Sequence, residues 1–454
     1  MKNNTKKVLI ISYYWPPAGG IAVHRCLKFA KYLREFGWEP IICTAENPEY
    51  PVLDESNFKD VPKGITVLKT RIWEPYNLFK FITGKKKEER IHNVFLEEEK
   101  HTLAHKIGIW IRGNIFIPDA RKFWIKPTAN YLIKYLSENH VDVLFTNGPP
   151  HTNHMIAYKI KRKLNIPWHA DFQDPWTQVD YFPQLMLNPI SRKIHEAMEQ
   201  RVFKYADKIT ICSETWKKDL ESIGANDVGV IVWGYDEDDF KDINERLSDK
   251  FTLSHYGSLG PDRNAKTLWK VLSDLSKKND EFSDALEIEL AGFIGHSVID
   301  EIENLGLKKN LKLYPHLTRS ETIKRMHRSQ VLLLILNNMP NVNGRLPGKL
   351  FEYLASRRPI LVIGPEKSDA SKIVHGVNAG YTCDFNDYEK TYEIIVNLFN
   401  KFKARELFPN RTDISQYSNR NLTQKLAEYL NHISKTKQKF VQTYGEKNKS
   451  IMLY

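Results

Sequence analysis

Short apolar runs alternate along this chain with longer segments in which apolar residues recur every three or four positions. The first run, KKVLIIS, reads as a strand. A loop of aromatics, two prolines and two glycines follows. A helical period over 22–36 then puts Val23, Leu27, Ala30 and Leu33 on one face and stops at Gly37. WEPIICTA and ITVLKT are the next two strands. The alternation lapses over 74–126, which holds a basic run, GKKKEER, an acidic one, EEEK, and the aromatic-basic HKIGIWIRGNIFIPDARKFW. It resumes with a helix over 127–138, strand VDVLFTN, helix 152–164, strand PWHADF, a helix within 190–205 and strand KITICS. Ser213 is a natural N-cap for TWKKDLESI, which stops at Gly224, and VGVIVWG closes this half.

DEDDFKDINERLSDK reads as a polar linker. A second alternation opens at FTLSHYGSLG. It runs through helix 264–277, ALEIELAG, helix 296–305, LKLYPH, helix 319–328 and QVLLLIL, then KLFEYLASR, PILVIG, helix 368–376, GYTCDF and helix 387–402. The lysine-rich end, SKTKQKFVQTYGEKNKS, reads as a fraying helix and tail. Repeated strand–helix–strand order predicts the α/β class with parallel, doubly wound sheets: two Rossmann-like domains facing across a cleft.

Bulk properties narrow the partners. The 454 residues suffice for two or three domains. No apolar run approaches the roughly 18 residues that span a bilayer. The apolar block at 8–11 is too short for a signal-peptide core, and four scattered cysteines make a reducing cytoplasm the expected compartment. Cys26, Cys43, Cys212 and Cys383 form no C-x-x-C pair, which argues against a zinc site or a disulfide framework. The net charge of +12 suits an anionic partner, whether nucleic acid, acidic lipid or phosphorylated ligand. No nucleic-acid module appears, and a G-x-G-x-x-G fingerprint for NAD is absent.

Ligands of open parallel sheets bind beyond the carboxyl ends of strands. Five unusual clusters fall there: PPAGG (16–20), NGPPHTNH (147–154), HADFQDPW (169–176), YGSLGPDRN (256–264) and NVNGRLPGKLFE (341–352). In the last, Gly344, Pro347 and Gly348 keep the backbone compact before a helix starting near Lys349. Free amides at the helix start, from Gly348 to Leu350, with the charges of Arg345 and Lys349, would hold a diphosphate. Glu352, one turn on, can accept hydrogen bonds from ribose hydroxyls. A plain helix cap with a solvated glutamate is the alternative. Gly257, Ser258 and Gly260 would let a loop approach a ligand that Arg263 reaches; an ordinary turn is the alternative. Asp171 and Asp174, near His169, could bind sugar hydroxyls or move protons, or cap a loop. His151 and His154 point into the cleft or cap a helix. DEDD at 236–239 is metal-friendly in composition but lies in the linker, so no metal is expected.

These residues together resemble a family. PPAGGIAVHRCLKFAKYLREFGWEPIICT is similar to the N-terminal signature of family 4-like glycosyltransferases. IPDARKFWIKP, TNGPPHTNHM and PWHADFQDPW resemble a bacterial subgroup serving cell-surface polysaccharide synthesis, such as capsule or O-antigen. VWGYDEDDF resembles the family's interdomain junction. YGSLGPDRN and PGKLFEYLASRRPILVIG resemble its nucleotide-sugar half. The resemblance spans roughly residues 6–430.

It implies the GT-B architecture. Residues 1–233 form an acceptor-binding domain with the 74–126 insertion, and 234–415 a donor-binding domain. A final segment, 416–454, returns as a helix to the first. It also implies sugar transfer from a nucleotide-diphosphate donor, UDP-linked first, to a saccharide or lipid-linked acceptor. Transfer would need no metal or cofactor and would retain the anomeric configuration. By this resemblance Glu352 takes the ribose and Arg263 the diphosphate. Gly19 and Gly20 lie under donor phosphates or acceptor. The candidates for a catalytic base are Asp171, Asp174 and His151. Two positions depart from the family: Gly344 stands where a sugar-contacting glutamate is frequent, so Asn341, Asn343 or Arg345 would substitute, and Ser258 stands for an arginine. A nucleotide-sugar epimerase and a non-enzymatic nucleic-acid binder are the competing functions. The stretch 104–125, with Trp110, Ile111, Arg112, Phe116, Arg121, Lys122 and Trp124, fits the face of an anionic membrane, which would place the protein at its inner side. Ordinary packing under an insertion is the alternative.

Overall fold

The strand signals of the first half become one sheet. Its members are β1 (Lys6–Ile11), β2 (Trp38–Ala45), β3 (Thr66–Thr70), β4 (Val143–Gly148), β5 (Trp168–Phe172), β6 (Lys208–Ile211) and β7 (Val228–Val230). The order is β3-β2-β1-β4-β5-β6-β7, every pair parallel. Near-continuous apolar runs such as Val8–Ile11 are what a strand covered on both faces requires, and all four residues are buried. The source is a computed structural model that describes residues 5–74, 103–241, 243–407 and 412–451. The GKKKEER and EEEK runs lie outside the described residues.

The helices between these strands are α1 (Ile21–Tyr32), α2 (Leu103–Asn114), α3 (Ile125–Glu138), α4 (Thr152–Leu164), α5 (Pro189–Tyr205) and α6 (Glu214–Ser222). After α1 the chain tightens into a 3-10 turn and stops at Gly37, whose φ of 79° a β-carbon would strain. Ser213 caps α6 by accepting from the Trp216 amide.

The second half builds β8 (Phe251–Tyr256), β9 (Leu286–Ala291), β10 (Leu311–Tyr314), β11 (Val331–Ile335), β12 (Ile360–Ile363) and β13 (Gly380–Cys383). Their order is β10-β9-β8-β11-β12-β13, again all parallel. With them come α7 (Lys266–Lys278), α8 (Asp280–Ala285), α9 (His296–Asn304), α10 (Arg319–Arg328), α11 (Lys349–Ala355), α12 (Asp369–Gly376) and α13 (Tyr388–Lys403). The six-residue α8 has no counterpart in the sequence reading, because so short a helix shows no period.

The chain divides into two compact units. One holds the described residues through Val232 and those from Asn419 onward; the other is Trp233–Ser418. The final helix, α14 (Asn419–Ile451), belongs to the first. Its Leu422, Leu426, Leu430 and Ile433 form a stripe buried against Val8, Ile10, Val23 and Leu27. Each such side chain contributes on the order of 2 kcal/mol of apolar burial.

Two residues assigned to a membrane face turn inward. Trp124 is fully buried and its indole donates to Thr70 Oγ1 at 2.8 Å. Arg121 is buried 4.7 Å over the Tyr13 ring and 3.4 Å from Glu74. Their amphipathic context in the sequence is therefore packing, not exposure.

Strand order reverses between β1 and β4 in the first unit and between β8 and β11 in the second. Connections leave adjacent strands in opposite directions at such a point and open a crevice at their carboxyl ends.

Candidate functional site

The second unit's crevice collects the residues singled out in YGSLGPDRN and NVNGRLPGKLFE. Gly257 follows β8 with φ of 116°, and its amide donates to Ala291 O at 2.7 Å. A β-carbon on Gly257 would sit 2.8 Å from Lys349 Nζ. The left-handed backbone favours glycine here, and the close approach is to the flexible end of the lysine. The loop then turns through Pro261–Arg263, and Asn338 N donates to Asp262 O at 2.9 Å, tying it to the segment after β11. Ser258 contributes its carbonyl, 3.5 Å from Arg263 Nη1.

Lys349 is the centre of this arrangement. Its one hydrogen-bond partner among the described residues is His255 Nε2, at 3.1 Å, and no carboxylate lies within ion-pair reach of its amine. Burial and the neighbouring Arg263 push its pKa down to about 7, while Glu352 pulls the other way. Arg263 and Glu352 thus both act on the same amine. His255 is itself fully buried on β8 and lies well below its ordinary pKa, through burial and then the Lys349 charge.

Glu352 brings a residue that no sequence motif announced. Arg319, the first residue of α10, places Nη1 2.5 Å from Glu352 Oε1 and Nε 3.0 Å from Asp239 Oδ2. Asp239 belongs to the DEDD stretch, so that acidic run serves an arginine. Asp236 accepts from the Asp238 amide, and Asp238 pairs with Lys241 at 2.6 Å. Among the described residues no group of three His, Cys, Asp or Glu side chains is placed to hold a metal ion. Arg319 and Glu352 are 33 positions apart, which no local pattern connects.

The backbone expected to hold an anion is arranged differently from that expectation. Helix α11 has only seven residues. The Leu350 amide already donates to Pro347 O at 3.0 Å and the Phe351 amide to Gly348 O at 3.2 Å. Gly348 is itself in helical conformation, so the turn closes on its own carbonyls. Leu350 is wholly buried. The Leu350 and Phe351 amides are therefore already engaged, and the cationic side chains nearest this turn are Lys349 and Arg263. Arg345 sits half-buried after the turn at Val342–Gly344, and Pro347 beside it.

The first unit holds the other candidates. Asp171 ends deep in β5 with no exposure. Arg25 of α1 grips it with Nε at 2.6 Å and Nη2 at 2.8 Å, while Asn147 and Thr210 each donate at 2.7 Å. Against the cost of burial, Arg25 holds this carboxyl below its usual range. With four donors on its two oxygens it is a counter-ion, and the geometry gives it no free lone pair for proton transfer. Arg25 also donates to the carbonyls of Ile231 and Val232, at 2.8 and 3.1 Å. His151 is buried and stacked on Trp176 at 4.3 Å, and burial, with His154 and His195, keeps it neutral. A base so weakened is poorly matched to neutral pH. Asp174 is half-buried in the loop after β5 and is the least enclosed of the three.

The opening glycines divide. A β-carbon on Gly19 would lie 2.8 Å from Val52 Cγ1 and 3.3 Å from the Leu53 backbone, so this glycine answers to a neighbouring loop of the chain. Gly20 has φ of 78° and open space around it. Only the second leaves room for a ligand.

No protein-family model matches the sequence, and no curated protein matches it significantly. Solved structures do. A S. aureus TarM mutant in complex with fondaparinux, alpha-GlcNAc-glycerol and UDP aligns with a TM-score of 0.59 at 12% identity, covering 94% of this chain and 100% of that one. WaaG, a glycosyltransferase involved in lipopolysaccharide biosynthesis, aligns at 0.51 and 12%, covering 93% and 99%. A putative UDP-N-acetylglucosamine 2-epimerase from Listeria monocytogenes also aligns, at 0.51 and 12%, covering 92% and 94%. At such identity these likenesses speak to architecture, and with the two reversed-order parallel sheets they show it: the chain has the GT-B fold of two Rossmann-like domains.

Proposed function

We propose that the protein is a glycosyltransferase that moves a sugar from a nucleotide-diphosphate donor, UDP-linked first, to a saccharide or lipid-linked acceptor. The observation that carries this is Lys349: an amine at the β8/β11 switch point, beside Arg263, with no carboxylate in ion-pair contact. Two cations beside a glycine loop suit a diphosphate. Glu352 has one oxygen held by Arg319 and a second to accept from a ribose hydroxyl. In the reaction the cations would stabilise charge growing on the departing diphosphate. The acceptor would be taken by the first unit, where Asp174 is the remaining candidate for a base. Transfer with retention and without a metal is part of this reading, as is service in surface-polysaccharide synthesis; WaaG and TarM, sharing the fold, lend it support.

Purified protein given UDP-sugars should release UDP. Glu352→Ala and Arg263→Ala should each lower kcat/KM by about 100-fold, the worth of a charge-assisted contact in a water-poor site. Unchanged kcat/KM in both variants sinks the assignment. The epimerase that shares the fold marks the second reading. It predicts that the donor sugar isomerises with no acceptor present, and the transferase reading predicts that it does not.

The acceptor end has its own expectation. Trp73 and Phe123 meet at 4.8 Å, Lys122 Nζ bonds Ile115 O at 2.6 Å, and Asn114 bonds Met186 O at 3.1 Å. These contacts bring the exposed Trp73, Ile115, Phe123 and Met186 into one neighbourhood of the first unit, with Trp110 and Arg112 exposed on the helix that ends at Asn114. We propose that this surface rests on anionic lipid at the inner face of the membrane. The protein should pellet with phosphatidylglycerol vesicles at low salt and be partly released by about 0.5 M salt. Complete recovery in the supernatant at low salt counts against it.

A further inference from the structure

We infer that His255 is a positioning residue for Lys349, and that this pair makes capture of a nucleoside diphosphate proton-linked, the amine taking up a proton as the anion arrives. The inference rests on the donor-site reading above.

His255 Nδ1 lies 3.0 Å from the carbonyl oxygen of Leu333 on β11. A carbonyl only accepts, so Nδ1 carries the ring proton. Nε2 is left with a lone pair, and it meets Lys349 Nζ at 3.1 Å. One ring thus spans β8 and β11 and presents a neutral acceptor to the lysine. A carboxylate in its place would hold the lysine equally well but would cancel its charge. The imidazole fixes the amine and leaves its positive charge for a ligand.

The groups facing the amine set the linkage. From β8 comes His255, and from the following loop Arg263. From α11 itself comes Glu352, partly quenched by Arg319, which Asp239 holds in turn. Burial and Arg263 outweigh Glu352, so the empty site releases its proton near pH 7. A diphosphate beside Nζ adds negative charge and favours the ammonium. The sign follows. Well below pH 7 the amine is charged with or without ligand, and no proton moves. Above it, the empty site is neutral and the filled site charged, so binding takes up a proton and affinity falls by up to tenfold per pH unit.

The test is calorimetric titration of the full chain with UDP, with GDP alongside, at about pH 8 in buffers of different ionisation enthalpy. UDP is then fully ionised, its last phosphate pKa being near 6. Wild type should take up close to one proton per UDP. His255→Phe, lacking the acceptor, should bind about tenfold more weakly at that pH, and the midpoint of its pH–affinity profile should move down. His255→Gln, which keeps an acceptor, should restore most of the affinity. A histidine that merely fills the core would change the melting temperature and leave proton uptake and midpoint alone. Binding of UDP with no proton uptake overturns this inference and leaves the donor site standing. So does a His255→Phe profile identical to wild type. Should His255→Phe not fold, the wild-type profile decides: an affinity flat between about pH 6.5 and 8.5 overturns the inference. If neither UDP nor GDP binds, this inference and the donor-site reading fail together.

Discussion

Replacing Lys349 by methionine is expected to raise the melting temperature near neutral pH while removing nucleotide binding. The folded protein holds this amine at a pKa of about 7, against 10.5 for an ordinary lysine. Below about 7 both folded and unfolded chains carry the proton, and the fold bears the full cost of a desolvated ammonium. Between about 7 and 10.5 only the unfolded chain carries it, so wild-type stability recovers as pH rises through that window. Methionine fills a similar volume without charge. Its advantage should be greatest below pH 7 and fade toward pH 10. Because the side chain is partly exposed, solvent screening brings the gain to about 1–2 kcal/mol, well under the full value of the shift. Affinity for UDP should drop about 100-fold, the worth of a charge-assisted hydrogen bond to phosphate. Thermal melts at about pH 6 and 9, with UDP titrations, check both halves. A variant that is less stable at pH 6 and binds UDP like wild type would make Lys349 a packing residue.

Asp171→Asn should act in the opposite sense, costing stability and sparing chemistry. The substitution keeps the shape but leaves the Arg25 guanidinium, buried with it, without a counter-charge. Breaking one partner of such a pair costs about 3–5 kcal/mol. The denaturant midpoint should fall accordingly, while turnover per folded molecule stays within a few-fold. Acid should mimic the substitution. The folded carboxyl sits below its ordinary value of 3.8, so its contribution is present above that pH and is lost as pH falls through the lower folded value. The alternative outcome is equally clear: stability held within about 1 kcal/mol and turnover reduced 1000-fold or more. That would place Asp171 on the substrate.

Much of the architecture was legible in one dimension. The period over 152–164 became α4 (Thr152–Leu164), and WEPIICTA became β2 without a shift. Both signals are local: a stripe repeating at helical spacing, or an apolar run bounded by turns, is written in neighbouring residues. Within 74–126 the pattern was mute, and Trp124 was misplaced, because an aromatic-basic stretch has the same composition whether it lines a surface or fills a gap under one. The site was legible in part. Glycine loops and the lysine–glutamate pair stood at the expected strand ends. His255 did not stand out, since in FTLSHY it reads only as one more strand residue. Arg319 did not either, being the opening residue of an amphipathic helix.

By itself the sequence determined two blocks of strand–helix alternation and their glycine-rich strand ends. Both follow from interactions between residues a few positions apart. Tertiary structure alone decided what each charged group does. Asp171 and Glu352 are carboxylates of similar promise on paper. Arg25, 146 positions from Asp171, saturates one from within a core, and Arg319 leaves the other an oxygen to offer. The sign and strength of an electrostatic contact depend on distance and burial, and strand order sets both.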